Sequence, residues 1–283
     1  MIPKRIFFYW SGSDLSWMRY MTLFSFRQFN PDWDITLYIS DNKNKNKWYG
    51  REEQDFSNYK GVNYLSQVEE LNIKVQKINL PDDVKNKVKD LSPVHESDIF
   101  RYYELFSNGG IYADMDILFF RPIDKFYKQL IENNTDTLIH QDTGFITIGF
   151  LGAESGNSFY KDILDHALDI EKYDNYQSFG VDLIYSIYGT NRQNPYIIDK
   201  ILQKHPELNI FNLKNETVYN FDWTMIEYNN QYGVDINKFS KESIGYHWFG
   251  GHPMSQMFNN TLNEKNYVDY NTTFCKLCKN ILK

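Results

Sequence analysis

The chain has 283 residues, 42% hydrophobic and 24% charged, which is the composition of a soluble globular protein. Its formal net charge of -7 disfavours a general nucleic-acid-binding function, so we expect no nucleic-acid partner. No segment reaches the roughly 18 consecutive apolar residues of a membrane-spanning helix, and the first residues show no signal-peptide pattern. We therefore expect a cytoplasmic protein.

The first 40 residues alternate strand-like and helix-like segments. Arg5–Trp10 (RIFFYW) is short and apolar, which predicts a buried strand. Trp17–Phe29 has the spacing of large apolar residues typical of a helix, which the Asn-Pro-Asp of residues 30–32 ends. Residues 35–39 predict a second strand. A strand, a helix and a strand in this order indicate an α/β unit with a parallel sheet.

The next segment, residues 41–90, is the least regular part of the chain. Residues 41–60 are rich in Lys and Asn, and residues 68–89 are mixed in character. We predict a polar, helix-rich insertion here. Because no linker or internal repeat divides the sequence, we expect residues 1–283 to form a single domain around this insertion.

Residues 92–120 carry the most informative pattern. Ser92-Pro93 predicts a helix start, and Asp98 and Arg101 share one face of that helix at the i, i+3 spacing. An acid and a base at this spacing are compatible with an ordinary salt bridge. Their position just upstream of an acid pair favours instead a site that binds sugar hydroxyls or phosphate. Gly109-Gly110 is expected to end the helix.

Two carboxylates, Asp114 and Asp116, follow on a predicted strand over residues 111–120. On an extended backbone, residues i and i+2 point the same way. Nothing between the two acids neutralises their charge. Paired carboxylates of this kind favour a bound cation, and oxygen ligands suit Mg²⁺ or Mn²⁺.

Residues 145–283 predict further α/β elements. They comprise a strand at 145–151, helices at 156–170 and 179–188, mixed structure at 197–217, a compact segment at 243–255 and a C-terminal tail at 256–283. His247, in the compact segment, is either a structural histidine or a residue that completes a metal site or contacts a diphosphate. Cys275 and Cys278 predict two reduced thiols on a helix rather than half a zinc site.

Residues 97–102 (SDIFRY) and 108–116 (NGGIYADMD) resemble the central motif of glycosyltransferases with a DXD sugar-binding region. That group includes glycosyltransferase family 32, with yeast initiating mannosyltransferases and bacterial capsule enzymes, and more distantly the clostridial toxin glucosyltransferase domains. Supporting matches are residues 2–4 with Trp10 and Gly12, 30–33, 149–153 and 246–250.

The resemblance implies a GT-A fold, a Rossmann-like α/β sandwich, and a nucleotide-sugar donor. It implies that Asp116 binds Mn²⁺ or Mg²⁺ through the donor diphosphate and that Asp114 contacts the ribose or sugar and reaches the metal. Asp98 and Arg101 would hold the donor sugar and count, with the two acids, as the catalytic set. The implied substrate-binding residues are Trp10 at the base, Tyr112 near the nucleotide, Asp98, Arg101, Gly110, and His247, which would also ligate the metal.

Three positions depart from the family pattern. Phe7 stands where members often carry His, Gly180-Val181 replaces a Gly-Pro pair, and residues 250–252 read Gly-Gly-His in place of Gly-Ser-Trp. These departures bear on the acceptor side and on the third metal ligand more than on the donor core.

The predicted function is a metal-dependent retaining glycosyltransferase that moves a sugar, with a UDP-sugar as the first expectation, to a glycan or lipid-linked acceptor in capsular polysaccharide synthesis. The alternatives are a toxin-like protein glycosyltransferase and a non-catalytic nucleotide-sugar-binding module. No secretion region is recognisable, which favours the first. No nucleophile is obvious, and the acids to check are Asp142, Glu154 and Asp182. Residues 274–283 predict a helix that either packs on the domain or contacts the inner face of a membrane.

Overall fold

Strands of two sheets form the framework of the computed structural model, which describes residues 1–11, 14–42, 44, 59–142, 145–191 and 196–283. Gly12 and residues 45–58 of the predicted insertion lie outside the described residues. In chain order, the strands are β1 (Arg5–Trp10), β2 (Asp34–Ile39), β3 (Lys74–Lys77), β4 (Gly110–Ala113), β5 (Ile117–Phe119), β6 (Thr137–Gln141), β7 (Ile146–Ala153), β8 (Ile210–Asn212) and β9 (Gly245–His247).

The central sheet has the strand order β3-β2-β1-β4-β7-β6-β8. Among the strands of the described residues, β7 alone runs antiparallel to its neighbours, β4 and β6, so the other strands of this sheet share one direction. The order reverses between β1 and β4, because the chain builds outward to β3 and then returns to the other side of β1. Ligands of open α/β sheets bind at the carboxyl ends of the strands beside such a switch.

Helices cover both faces of the sheet. They are α1 (Trp17–Phe29), α2 (Leu65–Val68), α3 (Asp82–Val88), α4 (Pro93–Asn108), α5 (Asp124–Glu132), α6 (Ser158–Asp169), α7 (Val181–Tyr188), α8 (Ile198–Lys204), α9 (Asn215–Val218), α10 (Ile226–Gln231), α11 (Pro253–Thr261) and α12 (Thr273–Ile281). In the part of the chain that the structure describes, no helix has the length and apolar character needed to cross a membrane. The predicted fold class is confirmed: a mixed α/β fold around a mostly parallel sheet.

Strand β1 shows why the sheet needs helices on both sides. Phe7 and Tyr9 point into one apolar cluster, which includes side chains of α4, α6 and α7. Ile6, Phe8 and Trp10 point into a second cluster, which includes Phe26 of α1. Side chains of a strand alternate between faces, so a strand buried on both faces is apolar throughout.

The helix termini follow the local sequence. The side chain of Ser16 accepts a hydrogen bond from the backbone N–H of Arg19 at the start of α1, and that of Ser92 accepts one from His95 at the start of α4. Helix α4 has Pro93 in its first turn and ends at Gly109, where φ is +67°. These are the capping residues that satisfy free backbone groups at helix ends, and they place the predicted boundaries correctly.

The prediction for residues 41–90 was wrong in one respect. Strand β3 lies in this segment and pairs in parallel with β2, so part of the predicted insertion is the edge of the central sheet. Its sequence, KVQK, looks unlike a strand because an edge strand leaves side chains exposed, here both Lys74 and Val75.

The predicted single strand over residues 111–120 was also wrong. Strand β4 belongs to the central sheet, whereas β5 pairs with β9 in a separate two-stranded sheet. Residues 114–116 form the turn between them. Two long-range backbone bonds hold this turn: Asp114 N–H donates to the Gly149 carbonyl at 2.8 Å, and Trp248 N–H donates to the Asp116 carbonyl at 2.9 Å.

The C-terminal segment 256–283 packs on the domain. Helix α12 buries Phe274, Leu277 and Ile281 in a third apolar cluster, which also contains Trp17 of α1. The apolar face of α12 is therefore covered, which favours the packed alternative over membrane contact. Cys275 and Cys278 are buried in the same helix, and within the described residues they are not part of a group of three potential metal ligands.

The packing of α12 predicts unreactive thiols. Burial raises the pKa of Cys275 to about 11 and raises that of Cys278 well above its usual value. Because the thiolate is the reactive form, we expect both to react with a disulfide reagent at pH 8 at least ~100-fold more slowly in the native protein than after unfolding in guanidinium. Stopped-flow absorbance measures both rates. Equal native and unfolded rates would mean that α12 is detached.

Two glycine helix ends allow a test of the backbone at the start of β4. Gly109 and Gly189 have φ values of +67° and +63°, but ψ is -167° at Gly109, a conformation that essentially only glycine adopts, and 35° at Gly189. An added Cβ would lie 2.7 Å from the Ala153 carbonyl oxygen at Gly109 but in open space at Gly189. We expect Gly189→Ala to lose about 1 kcal/mol of unfolding free energy and Gly109→Ala at least ~3 kcal/mol. Urea denaturation measures both, and similar losses would contradict the close backbone approach.

Candidate active site

A cavity of 1170 Å³ opens at the carboxyl ends of β1 and β4, the switch point of the sheet. Trp10 lines it from β1, Tyr112 from β4, and Asp114 and Asp116 from the turn that follows. The volume exceeds the ~300–1,000 Å³ of a typical single-ligand pocket. The cavity is therefore large enough for a large ligand.

Asp114, Asp116 and His247 form the centre of this cavity. Each offers one ligand atom, and these atoms all lie within 4.8 Å of one another. Pairing of β5 with β9 brings them together, because it sets His247 opposite Ile117, the residue after Asp116. The two acids thus converge through a turn and a neighbouring strand, and not through the i, i+2 spacing of one extended strand.

The environment of Asp116 favours its ionised form. Its Oδ1 lies 3.1 Å from Nε2 of His247, and its Oδ2 accepts a 2.6 Å hydrogen bond from the Gly250 N–H. Burial alone would raise the pKa of Asp116, but His247, the Gly250 N–H and Arg19 together lower it to about 2. Burial lowers the pKa of His247, and the charges of Asp116 and Asp114 outweigh this and raise it.

A second set of contacts surrounds Asp114. Its Oδ1 lies 3.5 Å from the Arg101 guanidinium and accepts a 2.6 Å hydrogen bond from the Tyr112 hydroxyl. The guanidinium lies over the Tyr112 ring, 4.4 Å from its centroid, and is 2.9 Å from Asp98. Burial raises the pKa of Asp114, and the neighbouring Asp116 adds to this against the opposing charge of Arg101.

These contacts correct the prediction that the acid pair has no neutralising neighbour. Arg101 of α4 supplies positive charge from outside the motif, and His247 of β9 does so when it is protonated. The Asp98–Arg101 pair is an i, i+3 salt bridge, as its simplest interpretation holds, but both side chains are buried and face the cavity. Burial raises the pKa of Asp98 to about 7, although Arg101 lowers it.

The residues present fit a divalent cation. Two carboxylates and an imidazole are ligands that Mn²⁺ or Mg²⁺ accepts. Oδ1 of Asp116 is buried, and Nε2 of His247 lies 3.1 Å from it. When Nε2 carries no proton, this oxygen has no donor there, and a cation at this point would satisfy both atoms.

Arg19 is a buried charge at the cavity that the sequence prediction missed. It is 3% exposed, and its guanidinium lies 4.8 Å from the ring centroid of Trp10 and 5.3 Å from that of Trp248. Burial lowers its pKa to about 10, against the opposing charges of Asp116 and Asp114, so it stays protonated at neutral pH. The only available signal was an arginine inside the apolar start of α1, WMRYM.

Not every predicted residue lies in the cavity. The lining includes Trp10, Asp98, Arg101, Tyr112, Asp114, Asp116 and His247 but not Gly110. Gly110 begins β4 with φ of +104°, and a Cβ there would lie 2.5 Å from the Arg5 side chain. This position indicates that Gly110 permits the close backbone packing at the start of β4 and does not contact a ligand in the cavity.

Of the three acids considered as nucleophiles, two line the cavity and one does not. Asp142 and Asp182 line the cavity. Glu154 does not, because it follows β7 at the far end of the strand, where its carboxylate pairs with the N-terminal amine. The structure also adds exposed aromatic rings to the lining, Phe145 and Trp223, which no sequence motif marked.

Residues 16–137, a little under half of the chain, match the family described as glycosyltransferase sugar-binding region containing DXD motif. The matched region carries the acid pair together with Asp98 and Arg101. With the α/β fold and the cavity at its switch point, this match makes the chain a glycosyltransferase. The match is to the DXD family as a whole and does not show the narrower capsular, family 32 type.

Comparison with other proteins adds only distant likenesses. No curated protein sequence matches the chain. Similar solved structures include the PaToxG glycosyltransferase (15% identity, 72% of this chain and 70% of that chain, TM-score 0.48). Mouse xyloside xylosyltransferase 1 has 7% identity over 86% of this chain and 96% of its own, with a TM-score of 0.46. The glycosyltransferase GlyE of Streptococcus pneumoniae TIGR4 has 8% identity over 100% and 61%, with a TM-score of 0.49.

The carboxylate–imidazole cluster predicts Mn²⁺ binding that depends on Asp116. Asp116→Asn keeps an acceptor for the Gly250 N–H but removes a charge from the cluster. We therefore expect the dissociation constant for Mn²⁺ to be at least ~10-fold larger. The electron paramagnetic resonance signal of free Mn²⁺ measures it.

Asp162→Asn is the matched control. Asp162 also lies near a histidine, with its Oδ2 3.4 Å from Nε2 of His205, but Lys204 neutralises it at 2.7 Å. This variant is expected to bind Mn²⁺ like the wild type. Equal losses in both variants, or none in either, would argue against a cation site at Asp116.

Proposed function

We propose that the chain is a metal-dependent retaining glycosyltransferase that transfers a sugar from a nucleotide-sugar donor to a glycan or lipid-linked acceptor. A UDP-sugar is the first candidate donor, GDP-mannose the second, and synthesis of a bacterial surface polysaccharide the proposed setting. The observation that carries the proposal is the half-buried Asp114–Asp116–His247 cluster beside Arg101. Asp114, Asp116 and Arg101 lie within the region matched by the DXD family.

The cluster suits the diphosphate of the donor. Asp116 and His247, with Asp114 next to them, would hold Mn²⁺ or Mg²⁺, which when bound acts as a Lewis acid on the diphosphate leaving group. Arg19 is a further buried cation at this point of the cavity, and a guanidinium can hold phosphate oxygens in a fork. We therefore add Arg19 to the proposed donor-binding residues.

The other predicted residues surround the space for the nucleoside and the sugar. Trp10 presents an aromatic surface at the end of β1 and is the proposed contact for the base. Asp98 and Arg101 are fixed by burial and by mutual contact. Arg101 is also held by the Ile148 carbonyl, to which it donates at 2.8 Å. Rigid polar groups of this kind orient a substrate without a reorganisation cost during the reaction.

The proposed reaction exchanges one bond at the anomeric carbon for another and moves one proton. The acceptor hydroxyl oxygen bonds to the anomeric carbon as the bond from that carbon to the diphosphate oxygen breaks. The hydroxyl proton passes to the departing diphosphate, and the products are a glycoside and a nucleoside diphosphate. Attack on the face that the diphosphate leaves gives retention. Asp142 and Asp182 are the remaining candidate nucleophiles for a two-step route.

Turnover of the donor tests this function. With Mn²⁺, we expect the protein to release nucleoside diphosphate from at least one of UDP-glucose, UDP-galactose, UDP-N-acetylglucosamine and GDP-mannose. Asp116→Asn is expected to lower that rate at least ~100-fold, because the charge on the leaving diphosphate is no longer offset. Arg19→Met is expected to raise the donor KM. A coupled assay for the diphosphate measures both.

Controls separate the alternatives. Asp162→Asn keeps the wild-type rate if the losses are specific to the cavity, and circular dichroism confirms folding of each variant. A non-catalytic binding module would release no nucleotide from any donor. Full activity in a folded Asp114→Ala/Asp116→Ala variant would contradict the proposal. Once a product is made, the coupling constant of its anomeric proton distinguishes retention from inversion.

A further inference from the structure

We propose that Phe249 is a positioning residue for the cation site and holds two of its proposed ligands, Asp116 and His247, in place. This inference rests on the proposed function, because it concerns the same site. Phe249 has φ of +50°, in the left-handed region that residues with a Cβ rarely adopt. The other non-glycine residues with positive φ in the described part of the chain are Asn72 and Asn134, and asparagine tolerates this conformation. A bulky aromatic residue tolerates it poorly, so its presence beside the acid pair needs a cause.

Hydrogen bonds on both sides of Phe249 fix its backbone against Asp116. The preceding N–H, of Trp248, donates to the Asp116 carbonyl at 2.9 Å, and the following N–H, of Gly250, donates to the Asp116 carboxylate at 2.6 Å. The Phe249 carbonyl itself accepts a 2.9 Å hydrogen bond from the His252 N–H. A left-handed residue persists where its surroundings over-determine it. Because the backbone angles of one residue set the direction of the next peptide group, the conformation of Phe249 directs the Gly250 N–H at the carboxylate that would ligate the cation.

The side chain of Phe249 holds the second ligand, His247. The centroid of its ring lies 4.2 Å from that of the imidazole at an interplanar angle of 82°, and the Tyr219 ring contacts the same imidazole at 5.3 Å and 63°. A metal-binding histidine is usually oriented by a hydrogen bond of its other ring nitrogen. Nδ1 of His247 is buried and has no such partner among the described residues. Ring packing by Phe249 and Tyr219 takes the place of that bond and keeps Nε2 directed at Asp116, 3.1 Å away.

Burial of the ring does not account for the strained backbone. Phe249 is half-buried, lines the cavity and lies outside the three apolar clusters of the described residues. The strained residue instead reaches both proposed ligands, Asp116 through the N–H that follows it and His247 through its ring. Strain of this kind is retained at functional sites, where it keeps groups in the geometry that a ligand requires.

Phe249→Gly tests this role, because glycine adopts the left-handed backbone without strain but has no ring. We expect its dissociation constant for Mn²⁺, measured from the electron paramagnetic resonance signal of free Mn²⁺, to be at least ~10-fold larger than that of the wild type. Its urea midpoint is expected to stay near the wild-type value, because relief of strain offsets the lost ring contacts. Phe249→Tyr keeps the ring and should retain most of the affinity. Phe249→Asn is a second variant without the ring and should weaken binding in the same way, whether or not the glycine variant folds.

Asn134→Gly is the matched control, because Asn134 has the same φ of +50° but is exposed and outside the cavity lining. This variant should bind Mn²⁺ like the wild type. A lower urea midpoint with unchanged Mn²⁺ affinity in Phe249→Gly would make Phe249 purely structural and overturn the inference. Unchanged affinity in a folded Phe249→Asn, no recovery in Phe249→Tyr, or an equal loss in Asn134→Gly would overturn it as well. A wild type that binds Mn²⁺ but turns over no donor would instead overturn the proposed function, and one that binds no Mn²⁺ would overturn the cation site itself.

Discussion

The partial burial of two neighbouring carboxylates is the constraint on which the rest of the site depends. Asp114 and Asp116 share one cavity, and like charges in a poorly solvated place need compensation. The compensation comes from three distant elements: Arg101 on α4, His247 on β9 and Arg19 on α1. The short sheet of β5 and β9 places His247 beside Asp116, so the strand pairing determines the electrostatics of the site.

The contact between Asp116 and His247 joins two of the proposed metal ligands. Oδ1 of Asp116 lies 3.1 Å from Nε2 of His247, so a protonated His247 offsets the charge of Asp116, and a neutral one would leave both atoms available to the proposed metal. Arg101 is held by contacts outside this pair, because Ser97 and Ile148 also accept its hydrogen bonds.

How much the sequence predicted depends on the range of the interactions involved. Helices α1 and α4 were placed correctly because their caps, Ser16 and Ser92, act on residues of the next turn. The break between β4 and β5 was missed because pairing of Ile117 with His247 joins residues 130 positions apart. Arg19 was missed for a similar reason: its two aromatic neighbours, Trp10 and Trp248, come from opposite ends of the chain.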